Sequence, residues 1–177
     1  MDGVVTVSRR RDGNAVGSAQ ATDFEAFFAD HHERLLRALW LLTRNRHEAE
    51  EVVQDAFLAL WRRWEHVAAG PDAVAYLYRT AMNVWRSRLR RAAVAVRKTV
   101  HRIPPDDEMA AVEQRDLVVR ALGPLPPRQR AAVVLMDVLD LSSERAGEIL
   151  RIRPATVRVL AARGRATLAK ETGDRDD

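Results

Sequence analysis

The sequence predicts an all-α protein: two small helical domains joined by a flexible linker, the C-terminal one containing a helix-turn-helix. Three observations predict it. Apolar residues recur at helical spacing in both halves, no segment alternates as a strand, and a Pro-rich acidic stretch, Pro104-Pro105-Asp106-Asp107-Glu108, interrupts the pattern. At 177 residues the chain is long enough for one compact domain or two small helical ones.

Residues 1–21 lack helical periodicity, are rich in Gly, Ser and Arg, and read as a disordered tail. Thr22 followed by Glu25 has the pattern of a capping box and places the first helix start there. Phe24, Phe27, Phe28, Leu35, Leu36, Leu39 and Leu42 continue it. Asn45 with Glu48 opens a second helix, whose apolar members Val53, Phe57, Leu60 and Trp64 are spaced four, three and four residues apart, forming one buried stripe. Gly70-Pro71-Asp72 breaks the pattern. A third helix follows from about Ala73 to Arg91, with Val74, Leu77, Ala81, Val84 and Trp85 facing inward.

These elements define an N-terminal region over 22–92, and the stretch 93–113 reads as a linker. The C-terminal region, 114–170, has a helix near Val112 to Leu122, the break Gly123-Pro124-Leu125-Pro126-Pro127, and a helix carrying Ala131, Val134, Leu135 and Val138. Ser142 suits the cap of a helix through about Leu150, and Pro154 suits the first turn of the last one. Residues 171–177 read as a tail. The pair Ser142–Leu150 and Pro154–Ala169, joined by a short turn, has helix-turn-helix proportions.

Charge is distributed unevenly. The 29 basic and 25 acidic residues leave a net charge of only +4. Yet the acid-free run Ala73 to Pro105 holds eight cations, and a second, Ile149 to Lys170, holds six. Two basic segments separated by an acidic one point to a polyanion touched at two places. Without cysteine there is no disulfide, thiolate nucleophile or Cys-ligated zinc, and a reducing cytoplasm is the expected compartment. No apolar run approaches the ~20 residues of a membrane helix. Arg9-Arg10-Arg11 is followed by polar residues rather than the apolar stretch of an export signal. The histidines His31, His32, His47, His66 and His101 have no metal-ligand spacing, and no phosphate-cradling Gly loop or nucleophile elbow is present. Neither a metal, a cofactor nor an enzyme activity is expected.

Three strings together resemble the extracytoplasmic-function (ECF) sigma factors of bacterial RNA polymerase, most nearly their actinobacterial two-region type. Ala49-Glu50-Glu51-Val52-Val53-Gln54-Asp55-Ala56-Phe57, with Trp61 after it, is similar to the core-polymerase-binding helix. Ala75-Tyr76-Leu77-Tyr78-Arg79-Thr80-Ala81-Met82-Asn83, ending in Arg90-Arg91, is similar to the minus-ten recognition helix. Leu125-Pro126-Pro127-Arg128-Gln129-Arg130, Val133-Val134-Leu135, Asp140-Leu141-Ser142 and Thr156-Val157-Arg158 with Arg163 resemble the promoter-binding C-terminal region. The matches run from about Phe24 to Lys170 in the family's order and spacing.

The resemblance implies roles for particular residues. Glu51, Gln54 and Asp55 occupy the positions that dock on core polymerase, where exposed carboxylates accept arginine forks. Asn83 falls where the family captures a base flipped from the non-template strand, with Tyr76 and Tyr78 nearby. Arg79, Arg86, Arg88 and Arg90 would hold phosphates. Arg153, Thr156, Arg158, Arg163 and Arg165 would meet the minus-thirty-five duplex. Core RNA polymerase and promoter DNA are the implied partners; an anti-sigma factor is a family expectation that no residue here identifies.

The sequence also departs from the family. Arg151 stands where a turn glycine is usual, Arg153 where a Ser-type cap is usual, Ala155 for Gly, Val159 for Ser, and Arg145 for a common Glu. Losing the turn glycine and the cap costs about 1 kcal/mol each. Two other readings stay open: a stand-alone, dimeric helix-turn-helix regulator with no polymerase docking and, motivated by these departures, a sigma-like interaction protein without promoter readout.

Overall fold

In the computed structural model, which describes residues 12–98 and 118–173, Asn45 starts a helix as its residue type predicts. Its Oδ1 accepts the Glu48 N–H at 2.9 Å, opening α2 (Arg46–Trp61). Asp72 does the same for α4 (Ala73–Lys98), its Oδ1 accepting the Ala75 N–H at 2.7 Å. Between them lies α3 (Trp64–Ala68), a short helix separate from α2. Trp64, which the spacing assigned to the α2 stripe, belongs to α3 and is buried there.

The first helix, α1 (Asp12–Thr43), begins ten residues before the expected cap at Thr22 and runs through it. Extending an existing helix costs less than nucleating one, and Ala15, Ala19 and Ala21 favour extension. The expected tail therefore keeps only residues 1–11 outside the described part. The linker 93–113 lies outside it from residue 99 onward, and α4 continues seven residues past Arg91.

In the C-terminal half, a single helical turn at 118–121 precedes α5 (Pro127–Val133), which Pro127 starts from its first position. The same rod then widens into a π-helical segment, Val134–Val138, where the Leu139 N–H donates to the Val134 carbonyl at 3.0 Å. Ser142 caps α6 (Ser143–Leu150) through the Arg145 N–H at 3.2 Å. Residues 151–153 turn into α7 (Pro154–Gly173), so the helix-turn-helix forms where the pattern put it. Among the described residues there is no strand, and no helix is long and apolar enough to cross a membrane.

The two halves share one core. Leu35, Leu39 and Leu42 of α1, Val52, Ala56 and Leu60 of α2, and Leu77, Ala81 and Met82 of α4 are buried in it. So are Leu135, Ile149, Val157 and Ala161 from the C-terminal half. Tyr78 and Trp85 also lie inside, at 4% and 3% exposure, and are packing residues of α4.

Candidate nucleic-acid interface

Helix α4 sorts its residues by face. Leu77, Ala81, Tyr78, Met82 and Trp85 point into the core, whereas Tyr76, Arg79, Asn83, Arg86 and Arg90 recur at three- and four-residue steps along another face. Asn83 and Arg90 are exposed, and Tyr76, Arg79 and Arg86 are partly covered. Asn83 thus presents its amide to the surroundings and is not a buried residue satisfied by backbone. One row combines an aromatic ring, an amide and three guanidinium groups, which is the chemistry that stacks on bases, reads their edges and holds phosphates.

Arg88 lies off this row. Its guanidinium pairs with Glu51 and, at 2.8 Å, with Asp55, clamping α4 to α2. The hydrogen bond to Asp55 is the larger cause that raises its pKa above the usual arginine value, with Glu51 adding to it. In the free chain, two residues assigned to polymerase and one assigned to DNA therefore hold one another. Both carboxylates remain half exposed, each with oxygens able to accept further donors.

Beside these acids runs an apolar groove between α1 and α2, unforeseen in the sequence reading. Phe28, Leu58 and Trp61 are 39%, 47% and 46% exposed there, and Gln54 lines it. Phe24 packs edge-on against Trp61, with ring centroids 4.8 Å apart, and fixes its floor. The signal was present in the spacing: Gln54, Leu58 and Trp61 form a second stripe on α2, out of step with Val53, Phe57 and Leu60. The groove has an apolar centre and a rim that carries Glu25, Glu33, Arg46 and Glu50; Glu51 and Asp55 do not line it, but stand on the same helix next to Gln54.

On α7 and the turn before it the proposed duplex contacts divide into two sets. Arg153 in the turn, and Thr156 and Arg163 on the helix, are exposed. Arg158 instead donates to Ser143 Oγ at 2.7 Å, and Arg165 makes two bonds to Asp137 at 2.8 and 3.0 Å. Those contacts tie α7 to α6 and to the π-helical segment, and are themselves exposed enough to exchange for phosphates.

Arg151, at the C-terminal end of α6, has φ 55° and ψ 46°, the left-handed conformation that a glycine takes without strain. Arg151→Gly is expected to raise stability by about 1 kcal/mol, read from the urea midpoint. Among the described residues no group of three His, Asp or Glu side chains gathers as a metal site.

Comparison with known proteins matches both halves. The family model of Sigma-70 region 2 matches residues 27–94, and that of Sigma-70 region 4 matches residues 115–168. The chain is 33% identical over 168 residues to the ECF RNA polymerase sigma factor SigM of Mycobacterium tuberculosis, covering 93% of this chain and 86% of SigM. It is 30% identical over 159 residues to the ECF RNA polymerase sigma factor SigE of Mycolicibacterium smegmatis, covering 85% of this chain and 62% of SigE. In fold it is similar to RpoE of Bartonella quintana, solved with the anti-sigma factor NepR. That match has a TM-score of 0.72 and 22% identity, over 84% of this chain and 95% of RpoE. CnrH, solved with the cytosolic domain of CnrY, matches with a TM-score of 0.68 and 23% identity, over 91% of this chain and 96% of CnrH.

Proposed function

The chain belongs to the ECF RNA polymerase sigma factors, and from that premise we propose which of its surfaces meet polymerase and which meet DNA. As a member it is a regulatory protein that binds core RNA polymerase, recognises promoter elements and initiates transcription by melting the promoter. The N-terminal region, 22–92, docks through Glu51, Gln54 and Asp55 together with the groove of Phe28, Leu58 and Trp61. The same region captures the opened minus-ten strand through Tyr76, Arg79, Asn83, Arg86 and Arg90. Arg88 joins this set when its carboxylate partners turn to polymerase. The C-terminal region, 114–170, holds the minus-thirty-five duplex through Arg153, Thr156, Arg158, Arg163 and Arg165. An anti-sigma partner is part of the same proposal, since RpoE, of this fold, is held by NepR.

The observation that carries this assignment is the single row on α4, with Asn83 exposed among arginines. Run-off transcription with core polymerase tests it, comparing wild type, Glu51→Arg/Asp55→Arg and Asn83→Ala. The double reversal is expected to lower transcript by about tenfold through lost polymerase binding, worth about 1.4 kcal/mol. Asn83→Ala should keep polymerase binding and open promoters about tenfold less well, a loss within the ~1–3 kcal/mol of one base contact. Equal transcription by all three rejects the assigned residues.

A further inference from the structure

Six large apolar side chains are exposed among the described residues. Phe28, Leu58 and Trp61 belong to the groove between α1 and α2, and Val94 and Val118 stand near the ends of the two described stretches. The sixth is Val159 of α7, 49% exposed. Val157 and Ala161 of the same helix are fully buried, and at about 100° per residue Val159 points to the side away from them. The residues three and four positions from it, Ala155, Thr156, Ala162 and Arg163, are all exposed too. Val159 therefore stands in the middle of the face that carries two of the proposed duplex contacts, Thr156 and Arg163.

Helix stability does not account for a valine there. In a helix it is no more favourable than the serine usual at this position in the family, and its isopropyl group meets water. From Ile149 to Lys170 the chain has six cations and no acid, so the surface around Val159 suits a polyanion rather than an apolar protein face. Val159 is the sixth residue of α7, and in a helix-turn-helix the residues near the start of the second helix meet base edges. Ala155 and Ala162 on either side are shorter, which leaves Val159 the most prominent apolar group of that face.

We infer that Val159 reads thymine in the minus-thirty-five duplex by packing its isopropyl group on the C5-methyl, an inference that rests on α7 being the duplex-facing helix. Thymine alone presents a methyl in the major groove; adenine, guanine and cytosine present donors and acceptors. A side chain without polar atoms strips water from those groups and gives no bond in return, whereas it covers a methyl without that loss. β-Branching holds Val159 close to one χ1 rotamer in a helix, so its methyls are in place before DNA arrives. Arginines that hold phosphates fix the register and carry no base information, which leaves the choice of base at this step to Val159.

Holoenzyme assembled from the full chain and core polymerase tests this. A promoter library randomised across the minus-thirty-five region is bound, recovered and sequenced, and the recovered pool should hold a fixed T·A pair there. Each thymine of that element, on either strand, is then replaced singly by deoxyuridine, which lacks only the methyl. One replacement should weaken holoenzyme binding by about fourfold at constant salt, the size expected for one buried methyl. Val159→Ala, an exposed change to a better helix former, should keep the fold. It should bind the thymine promoter about fourfold less well than wild type and no longer distinguish thymine from uracil.

An element without thymine, or one in which every uracil replacement is silent, overturns the inference. So does a uracil effect that survives in Val159→Ala, which places the contact on another residue such as Thr156, whose side chain also carries a methyl. A Val159→Ala loss that is equal on both promoters, with wild type indifferent to uracil, assigns the valine to a protein contact and overturns it as well. A pool with no preferred sequence in this region sinks the reading of α7 as promoter-binding and takes the inference with it. Any preferred element keeps that reading whatever uracil does, so the two failures are told apart.

Discussion

Arg130→Ala is expected to cost about 3–5 kcal/mol of stability, the largest loss of any single substitution considered. The side chain is 8% exposed and donates to four carbonyls: Leu122 at 3.1 Å, Gly123 at 3.3 Å, Leu125 at 2.9 Å and Leu42 at 2.8 Å. All four acceptors are neutral backbone groups. Burial first, and Arg44 second, lower the arginine's pKa, so the cation is retained through these bonds alone. Truncation leaves several buried acceptors unmatched at about 1–3 kcal/mol each, partly offset where water enters. In a protein of this size that corresponds to a fall of about 10 °C in Tm, measured by thermal melting. Arg130→Lys should recover only a fraction, because a compact ammonium cannot reach acceptors spread across a guanidinium's fork.

Gly147→Val is expected to cost about 2–3 kcal/mol and to weaken binding to the minus-thirty-five duplex further than that loss alone explains. A Cβ at Gly147 would lie 2.8 Å from the Ile152 carbonyl oxygen and 3.4 Å from the Pro154 nitrogen. Neither neighbour can swing aside, since both are backbone and the Ile152 N–H is itself bonded to the Gly147 carbonyl at 3.0 Å. The added side chain must therefore push α7 off α6, and in the proposed duplex contact the angle between those helices sets how α7 meets the groove. Gly147→Ala should show the same effect at smaller size. Urea denaturation beside duplex titration separates loss of fold from loss of aim.

The helices were legible because their determinants are local. Asn45, Ser142 and Pro154 act within three or four residues, and the stripes of α2 and α4 declare their buried faces by spacing alone. The short α3 was not legible, because Trp64 continues the α2 spacing although the backbone breaks at Arg62 and Arg63. The early start of α1 escaped for a related reason: a cap pattern marks where a helix is able to begin, and Thr22 lies within one that had already begun.

In the site, residue types led to the row on α4 and to the acids of α2, but not to their mutual pairing through Arg88. The contacts between halves were hidden more deeply. Arg34, Arg86 and Arg130 end on carbonyls that every residue possesses, so no complementary letter marks the partner. Only Arg145 left a trace, as a cation where the family commonly has an acid, and its reason lies in Asp72, 73 positions away.

The widened segment at Val134–Val138 holds one residue more per turn than a regular helix needs, and so acts as a fixed phase shift in the rod. Everything downstream inherits that rotation: Asp137 is turned toward Arg165, and the Leu139 carbonyl toward Arg34. Trimming the rod by a single residue would spare every buried side chain ahead of it while swinging both of those partners out of reach by about 100°. Length, here, is as strictly specified as chemistry.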